Sequence, residues 1–293
     1  MLIIDQSVVS NNQLERKIAA GIVLYNPDIS RLQQNVETIV PQVEKLYIID
    51  NNSKNIEQVE HTLKDYKKII FLRNFENLGI AQALNQISLK AYQAGFEWLL
   101  TLDQDTVCPH DLVASYIPYI DDDFVGIICP QFKIVGQKTK LVDKETIPLE
   151  TVELCITSAS LTRLLVWDFI EGYNNWLFID GVDYDYCIRV RRAGYKILRV
   201  NHAVIDHQVG DPELIKLPFG LSIKIYNHSD FRNYYIVRNN IYLLKTYWKE
   251  LHGFGWVFRL IYFEILKILF EKNKIKTIKS ILKGLRDGFF NLC

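Results

Sequence analysis

Nothing in this chain pairs its cysteines: Cys108, Cys129, Cys155, Cys187 and Cys293 are scattered, odd in number and free of any Cys-x-x-Cys spacing. That argues against a zinc site and against a disulfide framework, and it fits a reduced, cytoplasmic setting. Long apolar runs are missing as well; the best stretch, 254–270, is interrupted by Arg259, Glu264 and Lys267, so no clean bilayer span is expected. Residues 1–17 show neither a basic leader nor an apolar core of signal length, and no secretory peptide is expected. There is no internal repeat, no low-complexity segment and no net charge, with 34 basic residues against 34 acidic ones. No nucleic-acid partner is expected.

The zero balance conceals an asymmetry. Residues 245–293 carry ten Lys or Arg against four acids, a net of +6, so the first 244 residues sum to −6. The tail is therefore a separate electrostatic object. With 293 residues, 49% of them hydrophobic, the chain has material for one large domain plus an extension.

Apolar runs alternate with helical periodicity through the first 130 residues, at the spacing of successive βα units. Strands are expected at 18–24, 45–50, 69–72, 98–102 and 125–129, and helices at 30–40, 56–66, 80–94 and 110–120. Such a series builds a right-handed, parallel α/β sheet. The polar, Lys-rich stretch 133–150 reads as a mobile connection. Helical patterns resume at 183–193 and 231–248, and two basic amphipathic stretches, 255–271 and 274–290, close the chain. The expected division is a domain over 1–244, with halves at about 17–130 and 131–244, followed by a helical extension over 245–293.

The run Trp98-Leu99-Leu100-Thr101-Leu102 ends in Asp103-Gln104-Asp105, so a buried strand delivers two carboxylates at its carboxyl end. In an open parallel sheet that edge is where ligands bind, and carboxylates two apart can hold a divalent cation against a phosphate. Earlier strand ends are also polar: Tyr25-Asn26-Pro27, Asp50-Asn51-Asn52-Ser53, and Asn74 running on to Asn77-Leu78-Gly79. Each alone is an ordinary Asx turn or helix cap; together they face one crevice, where Asn26, Asp50 and Asn77 can hold a base and a ribose. No glycine-rich phosphate loop follows the first strand, which disfavours a nucleotidyltransferase.

In this order and spacing, Tyr25-Asn26-Pro27, Asp50-Asn51-Asn52-Ser53, Asn77-Leu78-Gly79-Ile80-Ala81-Gln82-Ala83-Leu84-Asn85 and Asp103-Gln104-Asp105 resemble the nucleotide-sugar half of family 2 inverting glycosyltransferases. The resemblance spans about 17–244. It implies a GT-A fold, a Rossmann-like and mostly parallel α/β sheet flanked by helices. It also implies a donor pocket of Tyr25, Asn26, Asp50, Asn77, Gly79, Asn85, Asp103 and Gln104, and a divalent metal, Mg²⁺ or Mn²⁺, reached by Asp105. Counting back from Arg189, Asp183 falls where the family places its catalytic Asp. Asp183 and Asp185 diverge by about 200° around a helix, so one can face the site while the other caps the helix or pairs with Arg189.

Two positions depart from the family: Val182 replaces its usual Glu, and Ala159, in the acceptor-facing Thr157-Ser158-Ala159-Ser160, stands where Gly is common. Ser158 and Ser160 are the expected acceptor-side residues. His207, before Gln208-Val209-Gly210-Asp211, resembles a late histidine presented to metal or diphosphate in some GT-A enzymes. Arg232-Asn233 through Arg238-Asn239 resembles the Arg-Asn signature of bacterial rhamnosyltransferases, and Arg238 is the expected diphosphate contact.

The resemblance thus implies a metal-dependent inverting transferase, with L-rhamnose from dTDP-L-rhamnose as the expected donor sugar and a glycan or lipid-linked acceptor in cell-surface polysaccharide (O-antigen) synthesis. A UDP-hexose transferase and a non-catalytic sugar-nucleotide or glycan-binding subunit are the alternatives. The basic, apolar tail 254–290 suggests a peripheral contact with the inner face of the cytoplasmic membrane, or else a packing or homo-oligomer interface.

Overall fold

A computed structural model describes residues 17–134, 141–207, 213–216, 222–225, 227–271 and 273–290, with the side chains of 134 and 207 and those of most of 213–224 outside that description. Among the described residues, one mixed sheet of eight strands has the order β3-β2-β1-β4-β7-β5-β8-β6. Its strands are β1 (Ile18–Leu24), β2 (Lys45–Asp50), β3 (Ile69–Arg73), β4 (Trp98–Leu102), β5 (Val125–Ile134), β6 (Leu149–Val152), β7 (Ser160–Arg163) and β8 (Lys196–His207). The helices between them are α1 (Ile29–Ile39), α2 (Ile56–Leu63), α3 (Gly79–Gln93), α4 (Leu112–Tyr116), α5 (Leu164–Phe169) and α6 (Val182–Arg192).

β1 lies parallel between β2 and β4, and β3 continues the parallel set beyond β2. The chain therefore winds outward in one direction from β1 and then reverses to β4, which opens a crevice at the carboxyl ends of β1 and β4. The strands expected from the sequence all run parallel, as does β8; the exceptions lie beyond β4, where β7 inserts antiparallel to both β4 and β5. β6 is antiparallel as well, to β8, while β5 and β8 are parallel. Four-residue strands such as β6 and β7 are too short to display a period, so the pattern gave no warning of them. β5 outruns its expected end at 129 through a register shift between Pro130 and Gln131, where the Gln131 amide donates to Asn201 O (2.7 Å) and Val142 O (3.0 Å). α4 is shorter than expected because Pro118, which lacks an N–H, falls in a 3₁₀ turn over Ile117–Tyr119.

The alternation of β1 divides the core. Ile18, Ala20, Ile22 and Leu24 face α1 and α4, packing with Leu32, Val36 and Tyr116, while Ala19 points at α3 and α6 with Ile87, Leu99 and Tyr186. Each buried aliphatic side chain contributes about 1.5–3 kcal/mol. Gly21 lets α3 approach closely; a Cβ there would stand 2.6 Å from Ile87 Cγ2.

β9 (Glu213–Lys216) and β10 (Ser222–Ile225) pair as a separate antiparallel ribbon. Three helices follow: α7 (Asp230–Thr246), α8 (Gly253–Phe270) and α9 (Lys274–Phe290). α9 is packed on α7 through a small-residue stripe, since a Cβ on Gly284 would lie 2.7 Å from Tyr234 O and one on Gly288 2.8 Å from Arg238 O. The tail is thus anchored to the helix that enters the site. No helix among the described residues is long and apolar enough to cross a membrane.

Candidate active site

The acidic loop after β4 is held from both sides. Asp103 N donates to Ser158 Oγ (3.2 Å), Asp103 O accepts from Asn35 Nδ2 (2.9 Å), and Thr106 Oγ1 lies 2.6 Å from Ser158 Oγ. Ser158 and Ser160 are buried; the Ser158 hydroxyl ties the β7 turn to the loop, and Ser160 Oγ donates within that turn to Ile156 O (2.6 Å). Ala159 sits in that turn at φ 57°, the left-handed conformation a glycine adopts without strain. Gln104 Oε1 accepts from Tyr25 N (2.9 Å) and bridges the ends of β4 and β1. Asp105 is exposed; its carbonyl accepts from Arg31 Nε (2.8 Å), and among the described residues no hydrogen bond or ion pair engages its carboxylate.

The other strand ends are similarly self-directed. Asp50, nearly inaccessible, accepts from Ser53 N at 3.0 and 3.1 Å. Asn26, at φ 49°, accepts from Lys54 N (2.9 Å) through Oδ1, and Asn77 Oδ1 accepts from Gly79 N (3.0 Å). Gly79 serves a docking contact: Ile80 N donates to Phe178 O (2.7 Å), and a Cβ on Gly79 would stand 2.6 Å from that oxygen. Asn85 is saturated, donating to Tyr173 O and Asn175 Oδ1 and accepting from Trp167 Nε1 and Tyr173 N. It latches α3 to the 172–175 loop, which leaves the side chain no free polar position for a nucleotide.

Across the crevice, a loop with Phe178, Asp180 and Gly181 all at positive φ leads into α6. It is gripped by Arg238, the residue expected to meet diphosphate, and by Asn239. Arg238 donates to Trp176 O and Leu177 O and lies flat on the Trp176 ring, 3.8 Å from its centroid, while Asn239 Nδ2 reaches Leu177 O and Ile179 O at 2.7 Å. Buried among Trp176, Tyr234 and Tyr235, Arg238 is a positioning residue. The arginine at the crevice is instead Arg232, about one and two-thirds turns earlier, which forks onto the Asp180 carboxylate at 2.9 and 3.2 Å.

Asp183 and Asp185 part as their spacing requires. Asp185 is fully buried and accepts from Arg189 Nε (2.8 Å) and Tyr247 O–H (2.7 Å). Asp183, partly open at the crevice, accepts only from Tyr184 N (3.0 Å) among the described hydrogen bonds. Desolvation, with the nearby negative charges of Asp180 and Asp103, pushes its carboxyl up to about 7. Because Asp103 acts electrostatically on both Asp183 and Arg232, the β4 loop and the start of α6 share one acidic cleft. Burial, then Arg232 and Lys267, push His228 down to about 4, so it is neutral at pH 7.

Asp180 and His228 are not marked by the sequence pattern, and Arg232 is marked there only as part of the Arg-Asn signature in which Arg238 is the expected contact. A trace was present in Asp180-Gly181, a turn dipeptide placed just before a helix. His207 ends β8, but its side chain lies outside the described residues, as do residues 208–211. For a cation, Asp103 and Asp105 offer hard oxygen donors on a fixed loop, which suits Mg²⁺ or Mn²⁺. Among the described residues no three His, Cys, Asp or Glu side chains converge. One or two carboxylates completed by substrate phosphates is the usual arrangement for such an ion.

A sheet that reverses at β1 and β4, with carboxylates on both sides of the resulting crevice, is a GT-A-type glycosyltransferase architecture. The sequence matches the Glycosyl transferase family 2 model over residues 20–194, and the chain belongs to that family. Over 94% of its length it is 26% identical to a dTDP-rhamnosyl transferase, RfbF of Shigella flexneri, covering 96% of that protein. It is 24% identical over 92% of its length to an uncharacterized glycosyltransferase of Methanocaldococcus jannaschii, MJ1057, covering 93% of it. Among solved structures, GalNAc-T7 with UDP, GalNAc and Mn²⁺ superposes with a TM-score of 0.65 at 14% identity, covering 95% of this chain and 56% of that one. S. aureus TarS 1–349 in complex with UDP-GlcNAc gives 0.60 at 13% identity, covering 93% and 80%. These likenesses show the fold.

Proposed function

We propose that this glycosyltransferase moves L-rhamnose from dTDP-L-rhamnose, with inversion, onto a glycan or lipid-linked acceptor in cell-surface polysaccharide synthesis. The observation that carries the mechanism is Asp183, a carboxylate tuned to about 7 at the mouth of an acidic cleft. A base is most effective when its pKa lies near the working pH. Asp183 takes the proton of an acceptor hydroxyl as that oxygen bonds to the anomeric carbon in line. The bond from that carbon to the nucleotide diphosphate breaks, and the diphosphate departs with the electron pair. Inversion follows from this single displacement.

Asp50 contacts the base, and Asn26 and Asn77 shape the nucleotide pocket around their turns. Asp105, with Asp103 beside it, would hold a divalent ion, which would supply positive charge against the leaving diphosphate. Arg238 and Asn239 act at one remove, by fixing the loop that sets Asp180 and Asp183. The dTDP-sugar assignment is supported by the likeness to a dTDP-rhamnosyl transferase along nearly the whole chain.

α8 and α9 also expose Phe254, Phe258, Ile261, Leu269, Ile275 and Phe290 beside Lys274, Lys276 and Lys279. An apolar surface interspersed with lysines is complementary to an anionic lipid interface, which would hold the enzyme at the inner membrane face.

Thermal shift against nucleotides and sugar nucleotides with Mn²⁺, followed by nucleotide release, tests the donor. dTDP-L-rhamnose should stabilise most and release dTDP; preference for a UDP-hexose would reassign the donor, and binding without release would indicate a non-catalytic subunit. Co-sedimentation with anionic vesicles at low salt tests the membrane contact, and indifference to them would leave α8 and α9 as an interface.

A further inference from the structure

Behind Tyr184, the residue after Asp183, α7, α8 and β10 enclose a cavity of about 250 Å³. Its walls are aromatic and charged at once: Tyr184, Trp256 and Phe263 stand beside Arg259, Glu264 and Glu271. Arg259, Glu264 and Lys267, the three charges that interrupt the apolar run of the tail, all line it. Those interruptions are therefore the polar lining of a half-open pocket, with Arg259 and Phe263 exposed at its rim. Both carboxylates are more than nine-tenths buried, and among the described residues each keeps one unpartnered oxygen. Glu264 Oε1 accepts from Lys267 Nζ (2.7 Å), leaving Oε2; Glu271 Oε2 accepts from Thr277 Oγ1 (2.7 Å) and Asn233 Nδ2 (3.2 Å), leaving Oε1. Buried acceptors without donors are costly and rare, and two at one cavity point to a ligand that brings donors.

We infer that this cavity is the acceptor subsite and that it receives one pyranose ring, stacked on the Trp256 ring with Tyr184 at its edge and donating hydroxyl hydrogen bonds to Glu264 and Glu271. The inference deepens the transferase reading, on which the word acceptor rests; the binding of a pyranoside stands apart from it. A sugar matches both parts of the lining, since its C–H face packs on aromatic rings and its edge carries O–H donors. An alkyl chain would leave both carboxylate oxygens unsatisfied, and a phosphate would meet them with like charge. The Trp256 ring is fixed in place, because its indole N–H donates to Asn240 Oδ1 (2.7 Å) and it stands nearly perpendicular to the Tyr184 ring, at 88° and 5.4 Å between centroids. Tyr184 joins the cavity to Asp183, and His228, which also lines it, senses the charges of Asp180 and Arg232.

Saturation-transfer NMR on the full-length protein, with a panel of methyl pyranosides and with n-octanol as an alkyl probe, tests this directly. At least one glycoside should receive saturation, and Glu264→Gln should weaken it by about tenfold or more, the usual consequence of losing a charge-assisted bond. Leu260→Trp, which fills the cavity from a partly exposed position, should abolish it; dTDP and UDP binding, measured in parallel, reports an intact fold. Absence of binding by every pyranoside overturns the inference. So does a bound glycoside indifferent to both variants, or octanol binding that Glu264→Gln strengthens. Failure of the wild type to bind or turn over any sugar nucleotide would instead overturn the transferase reading, with the glycoside result still deciding the cavity.

Discussion

At the strand ends of the first half, Asn26, Asp50, Asn77 and Gln104 each direct a hydrogen bond back at the chain, and Asn85 directs four. On the far side of the crevice, Asp183 sits with a raised pKa, and among the described residues Glu264 and Glu271 each retain a bare oxygen. The first region uses polar side chains to make loops rigid, so that a ligand meets preorganised backbone. The second stores uncompensated polarity, which is stabilised only when substrate supplies protons or donors. Asp183 and Asp185 repeat the contrast within one helical turn: one is ion-paired and structural, the other is held almost without partners.

The sharpest way to break that comparison is to exchange the two aspartates' fates. Asp183→Asn should lower sugar transfer by about 10²–10⁴-fold with donor affinity nearly intact, since the amide keeps the shape and loses the basic oxygen. Asp185→Asn should act mainly on stability. Steady-state kinetics and nucleotide titration of both variants decide it; an active Asp183→Asn beside a folded, inactive Asp185→Asn would reverse the assignment.

Next in size are the latches. Asp185→Ala leaves the Arg189 guanidinium half-buried without its carboxylate, and breaking a buried pair of this kind costs about 3–5 kcal/mol. Asn85→Ala strands Trp167 Nε1 and Tyr173 N, at about 1–3 kcal/mol for each donor left unpaired. Chemical denaturation should show both losses. A near-neutral Asn85→Ala would mean that its side chain is held loosely enough to serve the nucleotide after all.

A smaller effect has the opposite sign. Asp183 has an ordinary carboxyl value of 3.8 and is raised to about 7 in the fold, so its neutral form is the favoured one. Its contribution to stability is complete below about pH 4 and is lost as pH rises through 7. Asp183→Asn escapes that loss and should exceed the wild type in stability above pH 7 by on the order of 2 kcal/mol, discounted for partial exposure, with the two converging below pH 4. Melting temperatures across pH 4–8 give the curve. Transfer by the wild type should rise over the same interval, as the base ionises.

How far these regions could be read in advance follows the same divide. β1 to β4, α1 and α3 were legible nearly to the residue because buried strands and amphipathic helices repeat their period several times. The strand-end motifs were legible as a set for a related reason: each terminates a clear element. β7 was not, although it places Ser158 against Asp103, since four residues carry no period. Nor could the sequence separate Arg232 from Arg238: six positions apart, they lie about 240° around the helix from one another, and which face meets the cleft depends on how α7 docks. Asn85 shows the converse, a motif residue whose role is set by a loop 88 positions away that sequence alone does not bring to it.

The smallest expected change in stability is at Asp105, and it sharpens the comparison most finely. Its carboxylate is exposed and engages no described partner, while Asp103 is wedged between Ser158 and Asn35 through its backbone. Asp105→Ala should leave the unfolding free energy within about 0.5 kcal/mol of wild type, as for a surface site. Yet it should weaken metal-dependent nucleotide binding more than Asp103→Ala does, because the solvent-facing carboxylate is the one a hydrated cation and a diphosphate can reach together. Calorimetric titration of dTDP with and without Mn²⁺ separates the terms. A metal-linked gain in affinity that survives Asp105→Ala but vanishes in Asp103→Ala would move the ion inward to the acidic cleft beside Asp183, and equal affinity with and without Mn²⁺ in the wild type would remove the metal from the mechanism.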